Sequence, residues 1–146
     1  MTNSHEDTYY PGEQKVVLIV DDKVEVRELL NVVLTMYGYL CIEAGNGCEA
    51  ELIYKTTPVD LIITDVYMPE KDGLSLISDL REIDPDVKIV AMSGSGGTYL
   101  PECLEWAKSL GAKDSFVKPF SHVDFVNVIN SVMHSEKHQY QTIIPE

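Results

Sequence analysis

Five short apolar runs punctuate the chain at regular intervals: VVLIV (16–20), YLCIE (39–43), LIIT (61–64), VKIVAM (87–92) and DSFV (114–117). Their length and their content of Val and Ile predict β-strands. The segments between them place apolar residues three and four apart instead, which predicts helices. Val26, Leu29, Leu30, Val33 and Tyr37 mark the first, and Gly38 stops it. A second opens at Asn46 or Gly47, runs through Ala50, Leu52 and Ile53, and closes before Pro58. Leu74, Ile77 and Leu80 mark a third; Leu100, Leu104, Ala107 and Leu110 mark a fourth, ended by Gly111. Ser121, with Asp124 three residues on, resembles a capping box for a fifth helix that buries Phe125, Val128, Ile129 and Val132.

Strict βα alternation implies a parallel sheet with helices on both faces. Right-handed crossovers leave few topologies, and the expected one is α/β, a five-stranded parallel doubly wound sheet of order 2-1-3-4-5 in a flavodoxin-like (βα)5 architecture. Such sheets bind ligands beyond the carboxyl ends of their strands, where strand order reverses, here between the first strand and the third. Residues 1–14 are polar, with a Pro-Gly pair at 11 and 12, and residues 135–146 lack periodicity. Both are expected to be tails around one domain at 15–134.

Composition narrows the function. The chain of 146 residues is 45% hydrophobic and 24% charged, which suits one soluble domain with an ordinary core. Its formal charge of −13 repels nucleic-acid phosphates and anionic lipid, so direct nucleic-acid or membrane binding is not expected. With neither a long apolar run nor an apolar signal core, the expected location is cytoplasmic. Cys41, Cys48 and Cys103 are odd in number and lack CxxC spacing, which indicates neither a disulfide framework nor a zinc site.

The residues that follow the strands carry the chemistry: Asp21 and Asp22 after the first, Asp65 after the third, Ser93 after the fourth and Lys118 after the fifth. Each alone has a plain structural account as a turn former, a loop hydroxyl or a solvated charge. Together they would gather at one edge. Three carboxylates brought close repel one another unless protonated or neutralised, and a hard divalent cation such as Mg²⁺ neutralises them. A lysine and a hydroxyl opposite complete a site for a phosphoryl group. A carboxylate nucleophile aimed at phosphorus forms an acyl phosphate.

The pair at 21–22, the segment TDVYMPEKDG around Asp65, the Ser93-Gly94 step and KPF at 118–120 together resemble the receiver domain of two-component response regulators. YGYLCIEAGNGCEA and LGAKDSFVKPF are similar to it as well. The resemblance implies that Asp65 accepts a phosphoryl group from a histidine kinase or a histidine phosphotransfer protein. It implies Mg²⁺ held by Asp22 directly, by Asp21 through water, by Asp65 and by the backbone carbonyl of Tyr67. Lys118 would pair with Asp65 or its phosphate, Ser93 would bond a phosphoryl oxygen, and Lys118–Pro119 would be a cis peptide. The whole would be a switch that assists its own phosphorylation and dephosphorylation, not a turnover enzyme. Its fourth helix, fifth strand and fifth helix would bind a downstream effector protein, and phosphorylation-dependent homodimerisation is a further implication. A phosphorelay intermediate, passing the group to a second histidine protein, uses the same chemistry.

Two places depart from that family. Ser115 stands three residues before Lys118, where an aromatic is usual, and Phe116 is one residue later. A one-residue step along a strand reverses the face, so Phe116 is expected in the core. The loop SGSGGTYL is glycine-rich and longer than usual, with Tyr99 as an alternative aromatic contact. Tyr67 is expected to overhang the site and restrict attacking water. Phosphatases of the haloacid dehalogenase type also use a strand-end aspartyl nucleophile and Mg²⁺, but they need a second acid two residues on, where Tyr67 stands. A structural or adaptor domain with a dead site has no need of five competent residues.

Overall fold

The computed structural model describes residues 14–94 and 102–135. Along them run β1 (Val16–Val20), α1 (Val24–Met36), β2 (Leu40–Ala44), α2 (Gly47–Thr56), β3 (Leu61–Asp65), α3 (Gly73–Ile83), β4 (Ile89–Ser93), α4 (Glu102–Leu110), β5 (Asp114–Val117) and α5 (His122–Met133). All strands pair in parallel, in the order β2-β1-β3-β4-β5. This is the doubly wound sheet expected from the alternation.

The three central strands are buried along nearly their whole length, because helices cover both faces of the sheet. Their sequences therefore run continuously apolar. Strand periodicity still sorts the side chains into two layers. Leu18, Val20, Ile62 and Ala91 face Leu76, Ile77, Leu80 and Leu104, in the layer of α2, α3 and α4. Val17, Ile19, Ile63 and Met92 face Leu30, Leu34, Phe125 and Ile129, in the layer of α1 and α5. Each fully buried Leu, Ile or Phe contributes about 1.5–3 kcal/mol.

Three helices start on side-chain caps that satisfy free backbone N–H groups. Asn46, Asp72 and Ser121 accept from the backbone N–H of Glu49, Ser75 and Asp124. Gly38, at φ 94°, follows the end of α1, where a Cβ would be strained.

Element limits differ from the sequence pattern in three places. β2 starts at Leu40, and Tyr39 instead buries its ring and donates its hydroxyl to Asn130 Oδ1 on α5. β4 starts at Ile89 and continues to Ser93. β3 continues through Asp65, whose pairing with Met92 extends the ladder by one residue. Asp65 is thus the last residue of a buried strand. Tyr99 and Leu100 lie outside the described residues, as do the expected tails apart from Gln14 and Ser135. Among the described residues no helix is long and apolar enough to cross a membrane.

Candidate functional site

Asp21 directly follows β1 and is fully buried. Its N–H donates to the carbonyl of Ala44 at 3.2 Å, so the chain leaves β1 still tied to β2. One carboxylate oxygen accepts from the N–H of Lys23 at 2.9 Å, and the other from Lys118 Nζ at 3.0 Å. The neighbouring Asp22 is exposed. Asp65, 4% exposed at the end of β3, accepts from the N–H of Tyr67 at 3.4 Å and lies 3.6 Å from Lys118 Nζ. Carboxylate oxygens of Asp21, Asp22 and Asp65 all lie within 4.8 Å of one another.

The electrostatics follow from three clustered acids, two of which share Lys118. Burial pushes the Asp65 carboxyl up to about 6; Lys118 pulls it down, Asp21 and Asp22 push it up, and the N–H of Tyr67 pulls it down. Burial outweighs the lysine. Near neutral pH the carboxylate form is held with little to spare, and added positive charge would favour it. The donors are all oxygen and all anionic, which fits a hard divalent cation and does not fit a soft one.

Ser93 ends β4, fully buried, with its hydroxyl 3.4 Å from the carbonyl of Gly94. Its own carbonyl accepts from the N–H of Lys118 at 2.7 Å, which ties the ends of β4 and β5 together. The Lys118–Pro119 peptide is cis. Ser115 is half-buried and in register with Ala91, on the α4 side of the sheet. Phe116 is in register with Met92 on the other side, its ring 4.7 Å from that of Phe120 and 5.4 Å from that of Phe125. The structure therefore brings Asp21, Asp22, Asp65 and Lys118 together, sets Ser93 and Gly94 at the adjoining strand end, and leaves Phe116 on the opposite face.

Two supporting side chains escape the sequence pattern. Arg27 donates to the carbonyl of Asp21 at 2.7 Å and to Glu43 at 3.0 Å, holding the β1–α1 turn against β2. Lys71 pairs with Glu51 at 2.8 Å and with Asp79, pinning the loop that carries Tyr67 to α2 and α3. The Lys71 ammonium holds the Glu51 carboxyl below its usual range. Neither residue has a local signal, because their acidic partners lie 16, 20 and 8 positions away.

These features define a class: a doubly wound α/β protein with three clustered carboxylates and a lysine at its topological switch point. Within that class, the response regulator receiver domain family matches residues 17–130, and the chain belongs to it. Receiver domains act as signalling phosphoacceptors in two-component systems, where they meet histidine kinases or phosphotransfer proteins and downstream effectors.

The chain is 40% identical to chemotaxis protein CheY of Thermotoga maritima over 119 residues, covering 81% of this chain and 97% of that one. It is 34% identical to sporulation initiation phosphotransferase F of Bacillus subtilis over 105 residues, covering 71% and 82%. It spans about half the length of the probable transcriptional regulators ycf27 that it also matches, as in Pyropia yezoensis at 36% identity and 49% coverage of that protein. Among solved structures, a putative response regulator from Chloroflexus aurantiacus superposes with a TM-score of 0.75 at 30% identity, covering 84% of this chain and all of that one.

Proposed function

We propose that Asp65 accepts a phosphoryl group from a phosphohistidine on a histidine kinase or phosphotransfer protein, and that the aspartyl phosphate changes which effector protein the chain binds. The observation that carries this is the cluster itself: three carboxylates within 4.8 Å, with Lys118 at 3.0 and 3.6 Å from two of them. A carboxylate oxygen of Asp65 attacks phosphorus, forming the new O–P bond. The P–N bond of the phosphohistidine breaks, and its electron pair goes to the imidazole nitrogen, which takes a proton from solvent. Lys118 offsets charge on the phosphoryl oxygens, and the Ser93 hydroxyl donates to one of them. Asp21, Asp22, Asp65 and the Tyr67 carbonyl would hold Mg²⁺, which supplies positive charge to the same oxygens. Attack by water on phosphorus returns Asp65 and inorganic phosphate. The chain is in this account a timed switch working in the cytoplasm.

Incubation with acetyl phosphate and Mg²⁺ is expected to label the wild type and leave Asp65→Asn unlabelled. Equal labelling of the two would overturn the assignment.

The donor surface follows from proximity. A donor protein must bring its phosphohistidine to Asp65, so it covers whatever adjoins Lys118. There α1 and the segment after β5 form a cavity of about 350 Å³ lined by Val26, Leu29, Leu30, Pro119, Phe120 and Lys118. Leu29 is 51% exposed in it, an apolar side chain awaiting cover. Losing about 1.5 kcal/mol of apolar burial corresponds to roughly tenfold in affinity. Leu29→Glu is therefore expected to slow labelling from a phosphorylated donor protein by about tenfold or more while labelling from acetyl phosphate holds. Parallel losses with both donors would remove this surface from the account.

A second reading is the phosphorelay intermediate, favoured by the similarity to sporulation initiation phosphotransferase F. It differs only in where the group goes next. Chasing the labelled protein with an unlabelled histidine phosphotransfer domain separates the two.

A further inference from the structure

Residue 67 touches the acceptor and the fourth helix at once. Its N–H lies 3.4 Å from Asp65 Oδ1, and its phenol oxygen lies 3.0 Å from Sγ of Cys103. Cys103 is buried in the first turn of α4, packed in the same core layer as Leu104 and Ala107. The ring of Tyr67 thus bridges from the loop after β3 to the start of α4. Opposite that helix, β5 presents Ser115 and Val117, in register with Ala91 and Ser93. No aromatic on β5 faces α4. Phe116 points the other way and is held between Phe120 and Phe125, where movement would break close ring packing.

The face of α4 beyond Cys103 has an unusual feature. Trp106, 51% exposed, lines a cavity of about 340 Å³ with Leu74, Ser109 and Leu110, between α3 and α4. Its two walls are both attached to the acceptor. Leu74 follows Gly73, whose N–H donates to the carbonyl of Val66 at 2.9 Å, directly after Asp65. Trp106 lies three residues along α4 from Cys103, on which the Tyr67 hydroxyl rests.

We propose that Tyr67 is the residue through which the state of Asp65 reaches α4, and that the α3–α4 cavity around Trp106 is the surface that changes in response. This rests on the acceptor role of Asp65. Phosphorylating one carboxylate oxygen to an acyl phosphate adds dianionic phosphoryl oxygens beside the Tyr67 N–H, which strengthens and redirects the hydrogen bonds open to it. The backbone of residue 67 shifts with its acceptor, and the ring carries the shift to its hydroxyl end. A hydroxyl–sulfur contact is weak, so it breaks or reforms at small cost, and α4 then has two arrangements within reach. The cavity changes shape because one wall moves relative to the other.

Trp106 is the chain's single tryptophan and reports on this cavity directly. The full chain is treated with acetyl phosphate and Mg²⁺, the phosphorylated fraction is read on a phosphate-affinity gel, and Trp106 emission is normalised to that fraction. The wild type is expected to change emission in step with phosphorylation. Cys103→Ala is expected to be phosphorylated like the wild type and to lose more than half of the emission change. Tyr67→Phe should lose a similar share per phosphorylated molecule, whatever its own labelling rate. Full emission changes in both variants would overturn the proposal, as would a phosphorylated wild type with unchanged emission. A wild type that takes no phosphate would overturn the acceptor role as well, which the gel shows separately.

Discussion

Asp65→Asn is expected to be more stable than the wild type by about 3 kcal/mol at pH 8 without divalent cation, because the buried Asp65 carboxyl ionises only near pH 6 in the folded protein. The advantage should fade toward pH 4. Burial raises the folded pKa of Asp65 to about 6, above the 3.8 of a free Asp side chain. A carboxyl with a raised folded pKa binds its proton more tightly in the folded state than in the unfolded one. Between about pH 4 and 6 the folded state therefore holds more protons, and its stability falls as pH rises. Above pH 6 the penalty is complete; below pH 4 both states are protonated and it vanishes. Asparagine carries no charge and escapes it. Urea denaturation midpoints of the two proteins at pH 8 and pH 4 measure the difference. Added Mg²⁺ should narrow it at pH 8, by stabilising only the protein that keeps all three carboxylates. A variant less stable than the wild type at pH 8, or a difference independent of pH, would contradict the account.

The same site shows why much of this molecule was legible in its sequence. β1, β3 and β4 announce themselves because strands covered on both faces have no polar positions to dilute the pattern. Once their order is known, the topology brings Asp21, Asp22, Asp65 and Lys118 to one edge without further information. Strand limits were less legible. Tyr39 resembles a strand residue by type, but its hydroxyl finds Asn130 on a helix 91 positions later, and the ladder starts after it. The apolar run ends at Thr64 and so places Asp65 just after the strand, whereas pairing with Met92 of β4 carries the strand through it. Least legible were side chains that link elements, such as Arg27 to Glu43, Lys71 to Glu51, and Tyr67 to Cys103. Periodicity reports which face a residue occupies and says nothing about which distant partner it meets there.

Gly73→Ala should cause the other large effect, and it separates two reasons for a glycine. A Cβ on Gly73 would overlap the carbonyl oxygen of Asp65 and come within 2.9 Å of Val66 Cα and 3.1 Å of Asp65 C. Every one of these atoms is backbone, so no flexible side chain can move aside. The first turn of α3 must back away from the strand end, straining the bond from the Gly73 N–H to the Val66 carbonyl and shifting the acceptor itself. Overpacking of this kind costs about 1–3 kcal/mol or more. Gly38 is the opposite case: its φ of 94° is strained for any other residue, but a Cβ there meets nothing within 4 Å. Gly38→Ala should cost about 1–2 kcal/mol of backbone strain and leave labelling of Asp65 intact, since the turn after α1 lies at the other end of β2. Gly73→Ala should lower the urea midpoint and also slow labelling by acetyl phosphate several-fold under conditions where the protein is fully folded. Labelling at the wild-type rate in folded Gly73→Ala would mean that the helix yields and the strand end does not, and that the close approach of α3 to Asp65 has no part in setting the acceptor.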